Sequence, residues 1–207
     1  MASYRLYKEL IGVEMLYSGL SYGGATYTKF LIDSGSSFTT NFVMSAALTG
    51  VVPPTTTAGL VENASFIFRT PFETRTRIEG PIWGNMCFKL ENNVTSSYKT
   101  VFTEATITLS AVSSDGTARV LINAAEIYPK QSAAADIELV GTGSLQSETY
   151  GFFFTSYIDC TVEPTELLVL NLKTYGYKNS TSTTHKIYTL VDKSDQDLKL
   201  LLPLVGM

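Results

Sequence analysis

The sequence predicts an all-β protein, an antiparallel β-sandwich with the connectivity of a jelly roll, and three observations support this fold class. The chain has 27 Thr and 20 Ser but only 34 charged residues among 207, and Thr and aromatic side chains fit a pleated surface. From Ala25 onward, apolar and polar residues alternate with the period of two that is typical of strands. No segment has the strand–helix–strand spacing of a parallel sheet.

The N-terminal segment is the part of the chain with a convincing helical pattern. Its apolar residues with helical spacing are Leu6, Leu10, Val13 and Tyr17. This spacing over residues 4–17 predicts a short helix or an arm, and the N-terminal arm or helix comprises residues 1–24. We expect residues 25–207 to form a single β-sandwich domain, because this length suits one core and no linker divides it.

Alternating segments bounded by Gly, Pro or Asn predict the strands of the sandwich. The predicted strands are residues 27–32, 38–44, 65–69, 74–83, 86–90, 101–112, 117–122, 136–140, 150–158, 166–173, 186–191 and 198–202. The clearest is 101–112, where the odd-numbered residues share one face and the polar residues from Glu104 to Ser110 share the other. Asp115-Gly116 then predicts a hairpin turn, with Gly supplying the positive φ. Residues 51–60 and 175–185 predict loops.

Charge and cysteine content exclude several classes of protein. The formal net charge is −4 and no run of Lys or Arg occurs, so we expect no direct contact with nucleic acid. Charged residues interrupt the apolar N-terminal segment, which therefore has the pattern of neither a signal peptide nor a membrane span. We expect a soluble protein that is made without secretion. Cys87 and Cys160 are predicted to be buried thiols, with a disulfide as the alternative.

Catalytic side chains are scarce in this sequence. His185 is its one histidine, and it ends a polar loop, so we expect an ordinary surface residue rather than the base of a catalytic triad. The acidic and cysteine residues lack the spacing of metal sites. GTGSLQ, residues 141–146, lacks the Lys of a phosphate-binding loop. We therefore expect neither an enzyme nor a cofactor.

One short stretch, FLIDSGSS at residues 30–37, resembles the catalytic turn of the aspartic proteases. The resemblance implies that Asp33 would be the carboxylate that activates water and that Ser34 and Gly35 would shape the turn. ELVG, residues 138–141, is a candidate for the supporting element of that family. The chemistry needs two carboxylates that share a proton, and the chain has one such motif, so a protease would have to be a homodimer. The favoured interpretation is a β-turn.

In overall texture the chain resembles the single jelly-roll or β-sandwich virion proteins of viruses and phages. They are compact, rich in Thr, free of catalytic motifs and started by a short arm. The resemblance implies a capsid subunit, or a capsid-associated or tail protein. Such a protein would be made in the host cytoplasm and located in the virion, and it would contact copies of itself and other virion proteins through the arm and the two loops.

Aromatic residues support this interpretation and also suggest an alternative. Residues 152–154 are three consecutive Phe, so they must point to both faces of a strand. A strand that is apolar on both faces is central between layers or covered by another subunit. The alternative is a carbohydrate-binding β-sandwich, for which Trp83, the one Trp of the chain, is the candidate sugar platform.

Overall fold

The computed structural model describes residues 12–16, 19–22, 25–28, 50–69, 74–94, 98–128, 136–190 and 199–203, and within them it shows twelve β-strands and no helix. The strands are β1 (Gly12–Leu16), β2 (Gly19–Tyr22), β3 (Ala25–Thr28), β4 (Gly59–Arg69), β5 (Thr76–Asn92), β6 (Lys99–Val112), β7 (Ala118–Tyr128), β8 (Ile137–Val140), β9 (Gln146–Val162), β10 (Leu167–Lys178), β11 (Lys186–Leu190) and β12 (Lys199–Pro203).

The strands form two antiparallel sheets that pack face to face. In sheet A, β9 pairs with β5 along its whole length, from Thr76↔Val162 to Asn92↔Gln146. β11 and β12 both pair with the other side of β5, one after the other, and β1 pairs with β12. Sheet B has the order β3-β2-β4-β10-β6-β7, and β8 also pairs with β6. The predicted all-β class and two-sheet sandwich are confirmed, whereas the jelly-roll connectivity stays a prediction.

The core lies between the sheets and is filled by one face of each strand. In β6, Ala105, Ile107, Leu109 and Ala111 are buried and the residues between them are half-buried, so the predicted alternation of this strand is confirmed. The rings of Phe88, Phe102 and Phe152 lie 5.1 to 5.6 Å apart and join β5 and β9 to β6. Full burial of one such side chain contributes about 1.5–3 kcal/mol, so this interface holds the sheets together.

The predicted hairpin between β6 and β7 is confirmed in detail. Gly116 has a φ of 85°, which explains why a residue without Cβ occupies this position. Its N–H donates to the carbonyl of Ser113 at 2.9 Å, and the N–H of Ser113 donates to the carbonyl of Thr117 at 2.9 Å. The carboxylate of Asp115 accepts from the N–H of Thr117 at 2.9 Å, so the Asp side chain stabilises its own turn.

The helix alternative for the N-terminal segment is not observed at residues 12–16, which form strand β1. All five pair with β12, from Gly12↔Pro203 to Leu16↔Lys199. A partner strand from the far end of the chain therefore overrides the local helical spacing. The rest of the predicted helix lies outside the described residues. The division at residue 24 separates β2 from β3, which pair with each other, and it stays a prediction.

The interior of the chain shows one further difference from the predicted strands. Residues 74–83 and 86–90 were expected as two strands, but they belong to the single strand β5 because the register with β9 continues through Gly84 and Asn85. Residues 38–44 lie outside the described residues.

The predicted loop at 51–60 forms backbone hydrogen bonds with residues of the segment 175–185 and of β11. β10 continues to Lys178, and the N–H of this residue donates to the carbonyl of Pro54 at 2.9 Å. Val51 and Ile187 exchange two backbone hydrogen bonds of 2.9 and 3.0 Å. The predicted loop at 175–185 is therefore wrong for its first four residues, which belong to β10.

Sheets A and B approach each other closely beside this loop pair. A Cβ built on Gly176 of β10 would lie 2.8 Å from Cδ1 of Ile187 in sheet A, and 2.4 Å from the carbonyl oxygen of Val101 in β6 of its own sheet. The register between β10 and β6 also shifts between Tyr175 and Gly176. A residue without a side chain thus lets the two layers close.

The two cysteines are free thiols and do not form a disulfide with each other. Cys87 lies in β5 opposite Gly151, and Cys160 lies in β9 opposite Ile78, so the length of the β5–β9 ladder separates them. Both are half-buried rather than fully buried, and this burial raises the pKa of each thiol.

Candidate functional site

The outer face of sheet A carries three large aromatic side chains that remain in contact with water. Trp83 of β5 is 54% exposed, and Phe153 and Tyr157 of β9 are 86% and 63% exposed. Successive side chains of a strand point to opposite faces, and the neighbours Ile82 and Phe154 are buried in the core. We call Trp83, Phe153 and Tyr157 the outer aromatic patch.

The register of β5 with β9 brings these three residues together. Trp83 lies opposite Thr155, so Phe153 and Tyr157 occupy the two diagonal positions, with Cα atoms about 7–8 Å from that of Trp83. On its other side, Trp83 lies opposite Leu201 of β12. The patch therefore spans the neighbouring strands β5 and β9 on one face of sheet A.

A group of charged side chains borders the patch at the Tyr157 end. Nε and Nη2 of Arg77 donate to the carboxylate of Asp159 at 3.1 and 3.2 Å, and Nη2 also lies 3.1 Å from Glu79. The hydrogen bond to Asp159 raises the pKa of Arg77. The hydroxyl of Tyr157 donates to Glu79 at 3.4 Å. Desolvation and the Glu79 charge raise the pKa of Tyr157, so this ring stays neutral and is held towards the charged group.

At the opposite end of the outer face lies a polar aromatic residue, Tyr188. The Lys89 ammonium lies 4.1 Å from the centroid of the Tyr188 ring, and the Tyr188 hydroxyl donates to Glu91 at 3.3 Å. Burial and the Glu91 charge raise the pKa of Tyr188. Both ends of the surface thus pair charges of opposite sign, and its centre is apolar.

His185 is fully buried, so the prediction of a surface residue is wrong. Its Nδ1 lies 2.9 Å from the hydroxyl of Thr100, and that hydroxyl donates to the carbonyl of Glu91 at 2.9 Å. Since a Thr hydroxyl has one proton, Nδ1–H must be the donor to Thr100. Nε2 is buried without a hydrogen-bond partner in the described part of the chain.

The surroundings of His185 keep its imidazole neutral. Desolvation by burial, together with the charge of Lys178, lowers the pKa of His185. The Lys178 ammonium donates to the carbonyl of Ser182 at 2.5 Å. These contacts join β6, β10 and the loop before β11, which gives His185 a structural role that its polar sequence context did not reveal.

The resemblance to the aspartic proteases stays a prediction. Asp33, Ser34 and Gly35 lie outside the described residues. In the segment 138–141, Glu138 belongs to β8 of sheet B and pairs with Lys99. Within the residues that the structure describes, no three His, Cys, Asp or Glu side chains form a group that could hold a metal ion.

Sequence reasoning found part of the outer aromatic patch. It singled out Trp83 and predicted that the consecutive Phe residues point to both faces, and the structure shows Phe153 exposed and Phe154 buried. Tyr157 was missed, although its spacing of four from Phe153 places it on the same face of a strand. The proximity of Trp83 depends on strand register, which the sequence does not display.

Comparisons with known proteins give no family. No family model matches the chain, and no curated protein matches it. A CocE/NonD family hydrolase from Staphylococcus aureus is 12% identical with a TM-score of 0.37, over 76% of this chain and 34% of the hydrolase. The chain thus spans about a third of that protein. A CBM22-1 xylan-binding domain from Paenibacillus barcinonensis is 10% identical with a TM-score of 0.24, over 79% of this chain and 98% of that domain.

The described residues also include no helix that is both long and apolar enough to span a membrane.

Proposed function

We propose that this protein is a non-enzymatic structural subunit of a virion, and that the outer aromatic patch is a surface by which it packs against other subunits. The observation that carries the proposal is the exposure of Trp83, Phe153 and Tyr157 on one sheet face. A capsid subunit, or a capsid-associated or tail protein, uses a rigid sandwich in this way. Assembly, rather than turnover of a substrate, is then the activity to measure.

The composition of the surface supports a protein partner. Trp, Tyr and Arg are the residue types that most often dominate the binding energy of protein interfaces, and the patch has two of them beside Arg77. Interfaces also tend to have an apolar centre and a polar rim. Here Arg77, Glu79 and Asp159 form such a rim at one end.

Phe153 favours a protein partner over a sugar. It is the most exposed of the three aromatic side chains, and its ring has no polar atom that could bind a sugar hydroxyl. Burial of such a ring against apolar side chains contributes about 1.5–3 kcal/mol. A protein surface can cover the whole ring, whereas a sugar covers mainly one face.

Replacement of Trp83 tests the proposal. The variant Trp83→Thr should raise the dissociation constant of the assembled form by about tenfold or more, because a central aromatic contact is lost. Sedimentation velocity and negative-stain electron microscopy of wild type and variant measure this change. Stability in urea should change by less than about 0.5 kcal/mol, as for other exposed positions.

Val120→Thr is the matched control, since Val120 is 55% exposed but lies in β7 of sheet B. It should assemble as the wild type does. The proposal is wrong if Trp83→Thr assembles normally, or if both variants lose assembly to the same degree.

A carbohydrate-binding module is the second candidate, and the exposed Trp83 with Tyr157 beside it is the observation that favours it. Aromatic rings with a few polar groups are a common lining of ligand sites. Saturable binding of a polysaccharide, abolished by Trp83→Thr without any change in oligomeric state, would favour this candidate. The first proposal includes two predictions. Asp33 is a turn residue, and the sandwich has the connectivity of a jelly roll.

A further inference from the structure

We propose that strand β9 is a pairing edge, at which β9 of a second copy of this chain adds antiparallel to sheet A around a two-fold axis at Thr155. The proposal deepens the proposed function, on which it rests, because it names how two subunits join. It concerns the backbone edge of the sheet rather than the outer aromatic patch itself.

β9 lies at the edge of sheet A. In the described part of the chain it forms a ladder with β5 alone. Its exposed residues are Ser147, Glu148, Thr149, Gly151, Phe153, Thr155, Tyr157 and Asp159. A strand with one partner presents the backbone N–H and C=O groups of its other side to whatever lies next to it.

This edge lacks the features that usually prevent strands from pairing between molecules. Natural edges are blunted by Lys, Pro, bulges or short length, but the β9 sequence QSETYGFFFTSYIDCTV has no Lys, Arg or Pro. Its register with β5 runs from Thr76↔Val162 to Asn92↔Gln146 without a shift. β7, at the edge of sheet B, differs, because it carries Arg119 and its register with β6 shifts at three places.

The occupant that fits this edge is another β9. With the axis at Thr155, Phe153 of one copy lies opposite Tyr157 of the other, and the reverse pair forms as well. Aromatic pairs opposite each other on adjacent strands stabilise a sheet. These are the two most exposed large hydrophobic residues along β9. In this register each of them packs beside the other residue of the second copy.

The charges of β9 are compatible with this pairing. Asp159 lies opposite Gly151 of the second copy, so no like charges meet directly. On the inner face, Phe152 lies opposite Ile158. Like charges opposite each other would weaken the pairing. The positions of the charges along β9 avoid such contacts when the partner is a second β9.

Contacts within the chain limit the length of the new ladder. Near the C-terminal end of β9, Nη2 of Arg119 in β7 donates to the carbonyl of Thr161 at 2.7 Å. The second copy therefore pairs with β9 from Gly151 to Asp159. In the resulting dimer the two outer aromatic patches lie on the same face and become continuous.

Site-specific cross-linking tests the axis. In a background with Cys87→Ala and Cys160→Ala, Thr155→Cys places two cysteines opposite each other. Opposed Cα atoms in antiparallel strands are about 4.5–5.5 Å apart, within the range of about 4.4–6.8 Å that a disulfide requires. Mild oxidation should convert most of this variant to a covalent dimer on non-reducing gels.

Thr149→Cys in the same background is the matched control. It is exposed on the same face of β9, but the proposed register puts it opposite Thr161, so it should stay largely monomeric on the gel. Equal cross-linking of both variants, or none at Thr155→Cys, would overturn the proposal.

A second variant tests the edge without cysteines. Thr155→Lys sets two like charges against each other at the axis and should raise the dimer dissociation constant by about tenfold, whereas Thr149→Lys should not. Light scattering with size-exclusion chromatography measures this, and unchanged dimerisation of Thr155→Lys would also overturn the proposal.

Trp83→Thr should leave the cross-link intact. If Trp83→Thr assembles normally while the cross-link forms, the proposed packing by the patch fails and the edge inference stands.

Discussion

His185 shows how burial changes the meaning of a residue that the sequence places in a polar loop. The imidazole is fully buried and its Nδ1–H is used by Thr100. Protonation would add a charge at Nε2, where the described chain offers no acceptor. The fold therefore favours the neutral ring.

The first prediction concerns the pH dependence of stability. In the folded chain the pKa of His185 is lowered from its ordinary value of 6.5. At pH values between the folded-state pKa and this ordinary value, the unfolded chain therefore binds more protons than the folded chain. Stability must then fall as the pH drops through and below 6.5. Urea unfolding at about pH 7.5 and about pH 5.5 should show this loss. In His185→Gln the loss should be smaller, because the titrating group is absent, and an identical loss in both proteins would contradict the prediction.

Gly176 gives the second prediction at this scale. The variant Gly176→Ala should lower the free energy of unfolding by about 1–3 kcal/mol, since its Cβ would lie 2.4 Å from the carbonyl oxygen of Val101. Backbone atoms of a central strand cannot move aside easily. Gly151→Ala is the control, because the nearest atom to its Cβ would be Sγ of Cys87 at 3.8 Å. Urea midpoints of the two variants should differ, and equal stability would show that β10 and β6 can move apart at Gly176.

At the scale of elements, the turn from β9 to β10 is fixed by an ion pair with β7. Nη2 of Arg119 donates to both carboxylate oxygens of Glu166 at 3.2 and 3.1 Å. Glu166 is buried, and one of its oxygens also accepts from the N–H of Glu163 at 2.9 Å. The same Arg119 reaches Thr161 at the end of β9. One side chain of β7 thus binds the turn that joins β9 of sheet A to β10 of sheet B.

The third prediction follows from this contact. Arg119→Met should lower the free energy of unfolding by about 1–3 kcal/mol, because it leaves a buried carboxylate with fewer partners. The matched variant is Arg75→Met, which breaks the Arg75–Glu163 pair at 3.1 Å, where both side chains are exposed. It should cost less than about 0.5 kcal/mol. Thermal and urea unfolding of the two variants measure the difference, and similar losses would mean that burial of Glu166 adds little.

Elements whose pattern lies in adjacent residues of the sequence were predictable. Strands that depend on pairing with a strand distant in sequence were not. The alternation in β6 and the Asp115-Gly116 turn depend on residues that are adjacent in sequence, and the structure confirms both. β1 was misassigned because its strand conformation depends on β12, which pairs with it from near the other end of the chain. β5 was divided for the same reason, since only the register with β9 shows that it is continuous.

At the scale of the whole molecule, the sequence predicted the architecture and individual members of the candidate surface, but not their assembly. Trp83 and Phe153 are far apart in sequence and become neighbours only through the β5–β9 register. His185 likewise contacts Thr100 of β6, which is far from it in sequence. Composition and periodicity identify which residues face outward, whereas the fold decides which of them lie side by side.

The pairing order of the two sheets has a consequence for synthesis on the ribosome. In sheet B, β2 pairs with β3 and β6 pairs with β7, so hairpins of consecutive strands can form as the chain emerges. Sheet A has no such pair among its described strands, because β5 joins β9, β11 and β12 and β1 joins β12. β5 must wait for partners translated much later. The surface made by Trp83, Phe153 and Tyr157 therefore forms only after β9 has been translated and has paired with β5.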